Sequence, residues 1–381
     1  ARHWRKGWKM AMADITVRGA GAFGLAIAWA CVERGAKVQV VDPYGAGAGS
    51  SGGVVGALAP HVPANWNPKK QFQLESLLMA GSFWSQVAAC GGVSPGYGRI
   101  GRLQPLKDER AVALAYEREE TARALWQTHA KWQVCQAADL GAWCPPSPTG
   151  LVVHDTLSAR LHPRRACAAL VAALAARGVC IQPEAPDQGQ VLHAKGYAGL
   201  MELNAAFARP AGSGVKGQAA LLRFDAGVAP QLYADGLYII PHSDGTLAVG
   251  SSSERDFDDP TGTDAQLDEI ISRAREAIPA LQDAEVIERW AGVRPRAKTR
   301  APMLGAWPGQ PNHFIANGGF KIGFGMAPKV AEVMADLMLD ERDAIPKGFT
   351  VAHPQCAPRA PRKGLHAAHR AAPVPRLVLI V

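Results

Sequence analysis

Long apolar runs and paired cysteines are both missing from this chain of 381 residues. No uninterrupted apolar stretch reaches the roughly 18 residues that a membrane-spanning helix needs, so no membrane segment is expected. The seven cysteines form no CxxC pair and no metal-like spacing with histidine. This pattern predicts free thiols in a reducing compartment and no metal site. Because no secretory apolar segment stands near the start, we expect a cytoplasmic location.

Acidic residues are missing from both ends of the chain, and this accounts for the net charge of +8. Residues 1–10 and 344–381 carry only basic charges, which leaves the body between them slightly acidic. The body charge therefore argues against a nucleic-acid partner, although a basic nucleic-acid or membrane-surface arm stays an alternative for the tails. Residues 1–13 are expected to be a disordered or non-native tail, because they show no helical or strand period and Met10 or Met12 could be the native start. Residues 346–381 are rich in Pro, Ala and Arg, a composition that predicts a second disordered tail.

The first structured segment runs from Asp14 to Asp42 and reads as strand, glycine turn, helix, strand and terminal acid. Gly19 permits the tight turn, Gly21 lets a pyrophosphate approach the backbone, and Gly24 lets the helix pack closely on the strand. The N-terminus of that helix offers N–H groups to the diphosphate. Asp42 stands where a carboxylate accepts hydrogen bonds from a ribose, and its charge disfavours an NADP-type ligand. The segment predicts dinucleotide binding.

A glycine- and serine-rich loop follows directly at residues 43–63, PYGAGAGSSGGVVGALAPHVP. Its six glycines are too many for one turn, and they indicate backbone that closely follows a second part of a bulky ligand. A nicotinamide dinucleotide fold has no such need at this place. The loop therefore favours a flavin.

The rest of the chain alternates between helical and extended patterns. Helical periodicity covers about 72–88, 108–130 and 161–179. From residue 216 short alternating runs predict a β-rich second domain, with a hairpin whose turn is His242–Gly245. Residues 313–339 return to strand, glycine loop and a helix beginning near Ala327 or Pro328, which completes the dinucleotide fold.

Four cations alternate in the segment ERWAGVRPRAKTRAPMLG: Arg294, Arg296, Lys298 and Arg300. Alternation is the period of a β-strand, so the four side chains are expected to share one face. A cationic face of this kind needs an anion.

In their order and spacing these segments resemble the FAD-dependent D-amino acid oxidase superfamily, nearest to its glycine oxidase and D-amino acid oxidase members. The resemblance spans Ile15 to Arg342 and rests on GAGAFG with Asp42, GAGAGSSGGVVGALAP, VKGQ, LYIIPHSDGTLAVGSSSE, WAGVRPRAKTRAPMLG and NGGFKIGFGMAP. It implies an α/β fold in which a Rossmann-type, GR2-like FAD-binding domain with a mostly parallel sheet carries an inserted α+β substrate domain built on an antiparallel sheet. It also implies non-covalent FAD, because neither position of covalent attachment in the family holds a His or Cys here.

The same resemblance divides the chain and leaves its oligomeric state open, a homo-oligomer included. The FAD-binding domain is assigned residues 14–75, 151–215 and 296–345, and the substrate domain residues 76–150 and 216–295. The implied cofactor contacts are Gly19, Gly21, Ala22, Phe23, Gly24, Asp42, Pro43, Ser50, Ser51, Gly53, Gly196, Gly318, Gly319, Phe320, Lys321, Ile322 and Gly323.

Three residues are implied to act on the substrate. By its position in the Gly-x-Arg-Pro segment, Arg294 matches the arginine that binds the substrate carboxylate, and a guanidinium fork suits that task. Tyr238 matches a tyrosine whose hydroxyl supports the same carboxylate. Lys321 stands where relatives carry an arginine, and it either holds substrate or stabilises negative charge on the reduced flavin.

The implied activity is oxidative deamination of a small amino acid, namely a D-amino acid, glycine or sarcosine. Hydride passes from Cα to flavin N5, the imino acid hydrolyses to the 2-oxo acid, and molecular oxygen is reduced to hydrogen peroxide. The alternatives are a dehydrogenase of the same fold that uses a quinone or another acceptor, a flavin domain acting on an amino-acid-like group of modified tRNA, and a flavin-binding protein without turnover.

Overall fold

The computed structural model describes residues 12–206 and 210–351. Its α-helices are α1 Ala22–Glu33, α2 Pro68–Gly91, α3 Glu109–Trp126, α4 Pro163–Ala176, α5 Gly196–Ala206, α6 Ala265–Ala277 and α7 Gly323–Asp340. Its strands are β1 Ile15–Arg18, β2 Val38–Val41, β3 Ala57–Leu58, β4 Arg102–Pro105, β5 Trp132–Gln136, β6 Leu151–Asp155, β7 Ala159–Arg160, β8 Ile181–Gln182, β9 Gln190–His193, β10 Gly212–Arg223, β11 Gln231–Ala234, β12 Leu237–Pro241, β13 Thr246–Gly250, β14 Val286–Ala297, β15 Met303–Ala306 and β16 His313–Asn317.

The first sheet has six strands in the order β15-β16-β9-β1-β2-β8. Every pair is parallel except β15 with β16. β1 and β2 are short apolar strands buried on both faces, which is typical of a parallel sheet covered by helices. This sheet confirms the predicted mostly parallel, dinucleotide-type architecture. Its last helix, α7, begins at Gly323 rather than near Ala327, because Pro328 is accommodated inside the first two turns.

The second sheet has eight strands in the order β14-β10-β13-β12-β11-β4-β6-β5. All pairs are antiparallel except β11 with β4. The predicted hairpin is confirmed, because β12 pairs with β13 across the turn at His242–Gly245. Helix α6 packs its apolar stripe against one face of this sheet. The antiparallel sheet of the predicted substrate domain is therefore present.

The boundaries of the predicted domain division need correction, and the division itself remains a proposal. The boundary at 75/76 falls inside α2, and those at 215/216 and 295/296 fall inside β10 and β14. Strand β6, assigned to the FAD-binding domain, pairs in the eight-stranded sheet. Helix α2 and strands β10 and β14 continue through these assigned boundaries without a change in composition. Sequence patterns therefore do not reveal where one domain ends and the other begins.

The predicted tails are only partly covered by the structure, since residues 1–11 and 352–381 lie outside the described residues. The start of the second tail is ordered, in contrast to the prediction. Phe349 is buried, and its ring centroid lies 5.0 Å from that of Phe72 on α2. One aromatic side chain that reaches the core is enough to fix this short segment against the body.

Three further findings hold within residues 12–206 and 210–351. No helix there is both long and apolar enough to cross a membrane. No group of three or more His, Cys, Asp or Glu side chains there could hold a metal ion. The six cysteines of this part are free thiols, as predicted: Cys31, Cys90, Cys135, Cys144, Cys167 and Cys180.

A pair of buried histidines lies at the base of the β12–β13 hairpin. The rings of His162 and His242 are 4.5 Å apart between centroids, and one nitrogen of each has no hydrogen-bond partner among the described residues. The pKa of His242 is lowered to about 3, first by burial and then by the charge of His162. The pKa of His162 is lowered as well, chiefly by burial. The folded protein therefore keeps His242 neutral at moderately acidic pH.

This pair is expected to make the protein acid-sensitive. Between the folded pKa of about 3 and the unfolded value of 6.5, the unfolded chain binds a proton that the folded chain does not, so the free energy of unfolding falls as the pH decreases. His242→Asn should make this dependence shallower by up to about 1.4 kcal/mol per pH unit. Urea unfolding at several pH values measures the slope, with His129→Asn at an exposed position as control. Equal slopes for wild type and His242→Asn would contradict the expectation.

Candidate active site

A groove of about 680 Å³ runs between the carboxyl ends of the parallel strands and one face of the antiparallel sheet. One wall is formed by the β1–α1 turn and the glycine- and serine-rich loop, and the other by β14. The loop between β16 and α7 closes one end. In doubly wound folds ligands bind at the carboxyl ends of the strands, so this groove is the expected cofactor site.

The β1–α1 turn is shaped by two glycines whose missing Cβ atoms permit close packing. Gly19 has φ +111°, and a Cβ there would overlap the backbone of Ala194 at the end of β9. A Cβ at Gly24 would overlap the carbonyl oxygen of Gly19 and lie 3.3 Å from Cβ of Ala194. Both glycines lie beneath the groove rather than in its lining. They bring the N-terminus of α1 against the sheet edge, as the motif predicts.

The α1 end of the groove has the features of a pyrophosphate and ribose site. Gly21 opens on the groove without a side chain, and the Ala22 N–H donates to Ser51 Oγ at 3.0 Å. The Asp42 carboxylate accepts from the Ala20 N–H at 2.8 Å and from the Tyr44 N–H at 2.9 Å. Two backbone donors fix this carboxylate while it still lines the groove, so it can accept ribose hydroxyls as well. These residues fit the adenosine diphosphate part of FAD.

Most of the residues predicted to contact the cofactor meet in this groove. Those that line it are Gly21, Ala22, Phe23, Asp42, Ser50, Ser51, Gly53, Gly196, Gly318, Gly319, Phe320, Lys321 and Gly323. Four others do not line it: Gly19 and Gly24 support the turn from below, and Pro43 and Ile322 lie next to lining residues in the chain. Their contacts with the cofactor remain proposals.

Arg294 lies on β14 in the wall of the groove and is only 9% exposed. Its Nη2 donates to Ser251 Oγ at 2.8 Å and its Nη1 to the Ser252 carbonyl at 3.3 Å. The guanidinium lies over Gly217 on β10, where a Cβ would overlap it. Sequence reasoning missed Ser251 and Gly217, although a glycine inside a strand paired with the arginine segment was an available signal.

The charge of Arg294 is supported by the nearby, half-buried carboxylate of Glu254. Burial lowers the pKa of Arg294 to about 10, and the negative charge of Glu254 opposes this shift. Glu254 is itself held by Lys216 Nζ at 3.5 Å and by Gln218 Nε2 at 3.1 Å. Arg294 therefore remains cationic at neutral pH. Glu254, the carboxylate whose charge acts on it, forms no salt bridge with it.

Tyr238 is not brought into the groove, in contrast to the prediction that it shares a carboxylate with Arg294. It lies on β12, and β13 and β10 separate this strand from β14. Its hydroxyl lies 3.5 Å from Nη1 of Arg102, whose Nε donates to Asp155 at 2.9 Å. The sequence places Tyr238 on a strand correctly, but the order of the strands decides what its hydroxyl reaches.

The four alternating cations do not share a face, because β14 ends at Ala297. Lys298 and Arg300 lie in the turn that follows and are exposed, and Arg300 has φ +60°. Arg296 is half-buried, and its guanidinium lies 5.4 Å from the centre of the Phe320 ring. The alternation therefore holds for the first two cations only, and Arg294 alone lines the groove.

Lys321 enters the groove from the β16–α7 loop and is exposed to solvent there. Gly319 forms an antiparallel bridge with Arg296, and the Phe320 N–H donates to the Pro295 carbonyl at 3.1 Å. The pKa of Lys321 is lowered, first by partial burial of its ammonium and then by the charges of Arg294 and Arg296. The structure thus brings Lys321 and Arg294 to the same end of the groove.

The ring of Trp290, a residue that sequence reasoning also missed, leaves no space for a side chain at two further glycines, Gly53 and Gly292. Trp290 precedes Arg294 by four positions on the same face of β14 and lines the groove. A Cβ at Gly53 would lie 3.1 Å from its ring, and a Cβ at Gly292 would lie 2.5 Å from it. The indole therefore lies against the backbone of the glycine loop and is an apolar part of the groove wall.

Comparison with known proteins agrees with this geometry. A family model described as DAO, FAD dependent oxidoreductase, matches residues 14–337. The bifunctional protein ThiO/ThiG of Synechocystis is 27% identical over 352 residues, which cover 86% of this chain and 52% of that protein. The glycine oxidase of Pseudomonas aeruginosa is 34% identical over 125 residues, or 32% of this chain and 34% of that enzyme. The chain spans about half the length of the ThiO/ThiG protein.

The fold is shared with solved structures as well. The crystal structure of glycine oxidase from Geobacillus kaustophilus superposes with a TM-score of 0.77 at 20% sequence identity, covering 89% of this chain and 97% of that chain. The glycine turn, the acid after β2 and the groove between two sheets are thus parts of a known cofactor-binding architecture. The chain belongs to the DAO family of FAD-dependent oxidoreductases.

Proposed function

We propose that this protein is an FAD-dependent oxidase that deaminates a small amino acid, namely a D-amino acid, glycine or sarcosine. The observation that carries the proposal is Arg294, a buried guanidinium in the groove wall whose close contacts are the neutral groups of Ser251 and Ser252. A buried cation without a contacting anion is prepared for an anionic ligand. The fork of a guanidinium fits a carboxylate with two parallel hydrogen bonds.

The residues of the groove define the steps that the protein itself performs. Arg294 binds the substrate carboxylate and so fixes the Cα–H bond relative to the cofactor. FAD, when bound, supplies the hydride acceptor and passes the electrons to oxygen, which gives hydrogen peroxide. The indole of Trp290 and the glycine loop exclude water from one side of the groove. Hydrolysis of the imino acid then gives the 2-oxo acid and ammonia, or methylamine from sarcosine.

Among the described residues that line the groove, no carboxylate or histidine lies near Arg294. Asp42 is the one carboxylate among the described residues that line it, and it lies at the α1 end, where it is held by backbone donors. The substrate amine must therefore lose its proton to solvent before the hydride leaves. Activity is expected to rise with pH toward the pKa of the bound amine.

The experiment is an anaerobic titration of the FAD-loaded protein with glycine, sarcosine and the D- and L-forms of several amino acids. We expect glycine, sarcosine or a D-amino acid to bleach the visible flavin absorbance, and air to restore it with release of hydrogen peroxide. Bleaching that air does not reverse but a quinone does would identify a dehydrogenase instead. If dithionite bleaches the flavin and no amino acid does, the proposed function is wrong.

A further inference from the structure

The strand next to Arg294 carries a buried glutamine that the proposed reaction does not use. Gln218 lies on β10 and is fully buried. Side chains alternate along a strand, so Gln218 points to the face of β10 opposite to that of Gly217, over which the guanidinium of Arg294 lies. The side-chain amide has two N–H donors and one carbonyl acceptor. A buried amide must find partners for these groups inside the protein.

The amide of Gln218 is engaged by one segment, residues 251–264, which joins β13 to α6. Its Nε2 donates to Glu254 Oε1 at 3.1 Å and to Asp264 Oδ1 at 2.9 Å. Its Oε1 accepts the Asp264 N–H at 2.8 Å. The backbone N–H of Gln218 donates to Ser252 Oγ at 2.8 Å. One residue therefore joins the start of the 251–264 segment to its end.

The start of the same segment holds the guanidinium of Arg294. Its Nη2 donates to Ser251 Oγ at 2.8 Å and its Nη1 to the Ser252 carbonyl at 3.3 Å. Ser252 is fixed in turn, because its hydroxyl accepts from the Gln218 backbone and donates to Glu254. The orientation of the guanidinium thus depends on where the two serines lie.

The rest of the segment contributes to the groove and contains no helix or strand. Pro260 and Thr261 line the groove. Near its start the segment pairs with β10 through an isolated bridge at Glu254. At its end the two bonds between Asp264 and the Gln218 side chain connect it to the same strand. Loss of the amide would therefore loosen the end of the segment and the groove-lining part before it.

We infer that Gln218 is a positioning residue for Arg294. Gln218 does not line the groove, and it acts through the segment that presents Ser251 and Ser252 to the guanidinium. A carboxylate with two parallel bonds requires both Nη donors at fixed positions, so a small rotation of the guanidinium weakens the pair. This inference rests on the proposed function, in which Arg294 binds the substrate carboxylate.

The test replaces Gln218 with methionine, which keeps the volume and removes the amide. We expect Gln218→Met to raise KM for the best amino acid of the panel about tenfold and to leave kcat within about threefold of wild type. The Kd of acetate, an unreactive carboxylate that should perturb the flavin spectrum, should rise by a similar factor. Gln231→Met is the matched control, because Gln231 is equally buried and its amide donates to the Ala159 carbonyl. This control should keep the wild-type KM and acetate Kd.

A double-mutant cycle separates positioning from a general loss of stability. If Gln218 acts through Arg294, adding Gln218→Met to Arg294→Met should change the acetate Kd by less than about twofold. An equal rise in both backgrounds would overturn the inference. So would an acetate Kd that Gln218→Met leaves unchanged. Because acetate binding needs no turnover, this result is independent of whether any amino acid bleaches the flavin, which tests the proposed function.

A second variant keeps the inference testable if Gln218→Met does not fold. In Gln218→Glu the protonated carboxyl can donate and accept like the amide, whereas the ionised form repels Glu254 and Asp264. The acetate affinity of Gln218→Glu should therefore approach that of wild type as the pH decreases. An affinity ratio to wild type that does not change with pH would contradict the positioning role.

Discussion

Replacing Arg294 with methionine is expected to lower kcat/KM by about 10²–10³-fold, mainly through KM. Truncating one partner of a buried, hydrogen-bonded charge pair costs about 2–5 kcal/mol, because the other charge loses its partner in a desolvated place. Here the other charge is the substrate carboxylate. Methionine keeps much of the volume over Gly217 but has no donor for Ser251 or for the substrate. The kcat/KM of Arg294→Lys should lie between those of wild type and Arg294→Met, because an ammonium keeps the charge but cannot form the two parallel hydrogen bonds to a carboxylate.

Steady-state kinetics with the best substrate of the panel, together with the flavin content of each preparation, measures this effect. Arg289→Met is the matched control, because Arg289 lies on the same strand and its salt bridge to Asp268 at 2.8 Å is exposed. Exposed pairs of this kind contribute about 0–1 kcal/mol, so the control should keep wild-type kinetics. An Arg294→Met enzyme that binds FAD and keeps the wild-type KM would show that the carboxylate is bound elsewhere.

The cofactor half of the groove could be predicted in detail because its constraints are local. Gly19, Gly21 and Gly24 are required by the geometry of one turn, and Asp42 follows from the length of one strand–helix–strand unit. Each of these demands is met within about 30 residues of sequence. The structure places Gly21 and Asp42 in the lining of the groove and the two supporting glycines, Gly19 and Gly24, beneath it. The cofactor half of the groove could therefore be predicted from short-range sequence constraints alone.

The substrate half depends on contacts between distant strands, which patterns along the chain do not contain. Arg294 could be named from its segment, but its partner Ser251 lies 43 residues earlier. Tyr238 was placed on the correct strand, yet its hydroxyl reaches Arg102, which lies 136 residues away. Only the order β14-β10-β13-β12 shows that two strands separate Tyr238 from Arg294. Strand order is set by the packing of the whole sheet, so the sequence alone could not give it.

The alternating cations show how a local pattern can mislead. Alternation predicts a shared face only as long as the strand continues, and nothing in the order of charges marks its end at Ala297. The Lys298 N–H donates to the Ala211 carbonyl, after which the chain turns through Arg300 at φ +60°. The same turn leaves Lys298 and Arg300 exposed and outside the lining of the groove. The pattern was informative about charge, but not about its position.

Gly24→Ala is expected to abolish FAD binding. The added Cβ would overlap the carbonyl oxygen of Gly19, which belongs to the backbone and cannot rotate away. Helix α1 would have to move off the sheet, and its N-terminus would leave the place where Ala22 meets Ser51. Most of α1 is buried, so the shift also disturbs the core. Overpacking of this kind costs about 1–3 kcal/mol in stability.

The flavin-to-protein absorbance ratio of the purified protein measures the loss of FAD binding. Thermal unfolding with and without added FAD measures the loss of stability. A ligand that binds only the folded state raises the melting temperature by mass action, so added FAD should stabilise wild type and leave Gly24→Ala unchanged. Gly348→Ala is the control, because no atom lies within 4 Å of the Cβ it would add. If Gly24→Ala retained wild-type FAD content, the close contact between α1 and the β1–α1 turn would not be what positions the cofactor. The assignment of the diphosphate to the N-terminus of α1 would then have to be abandoned.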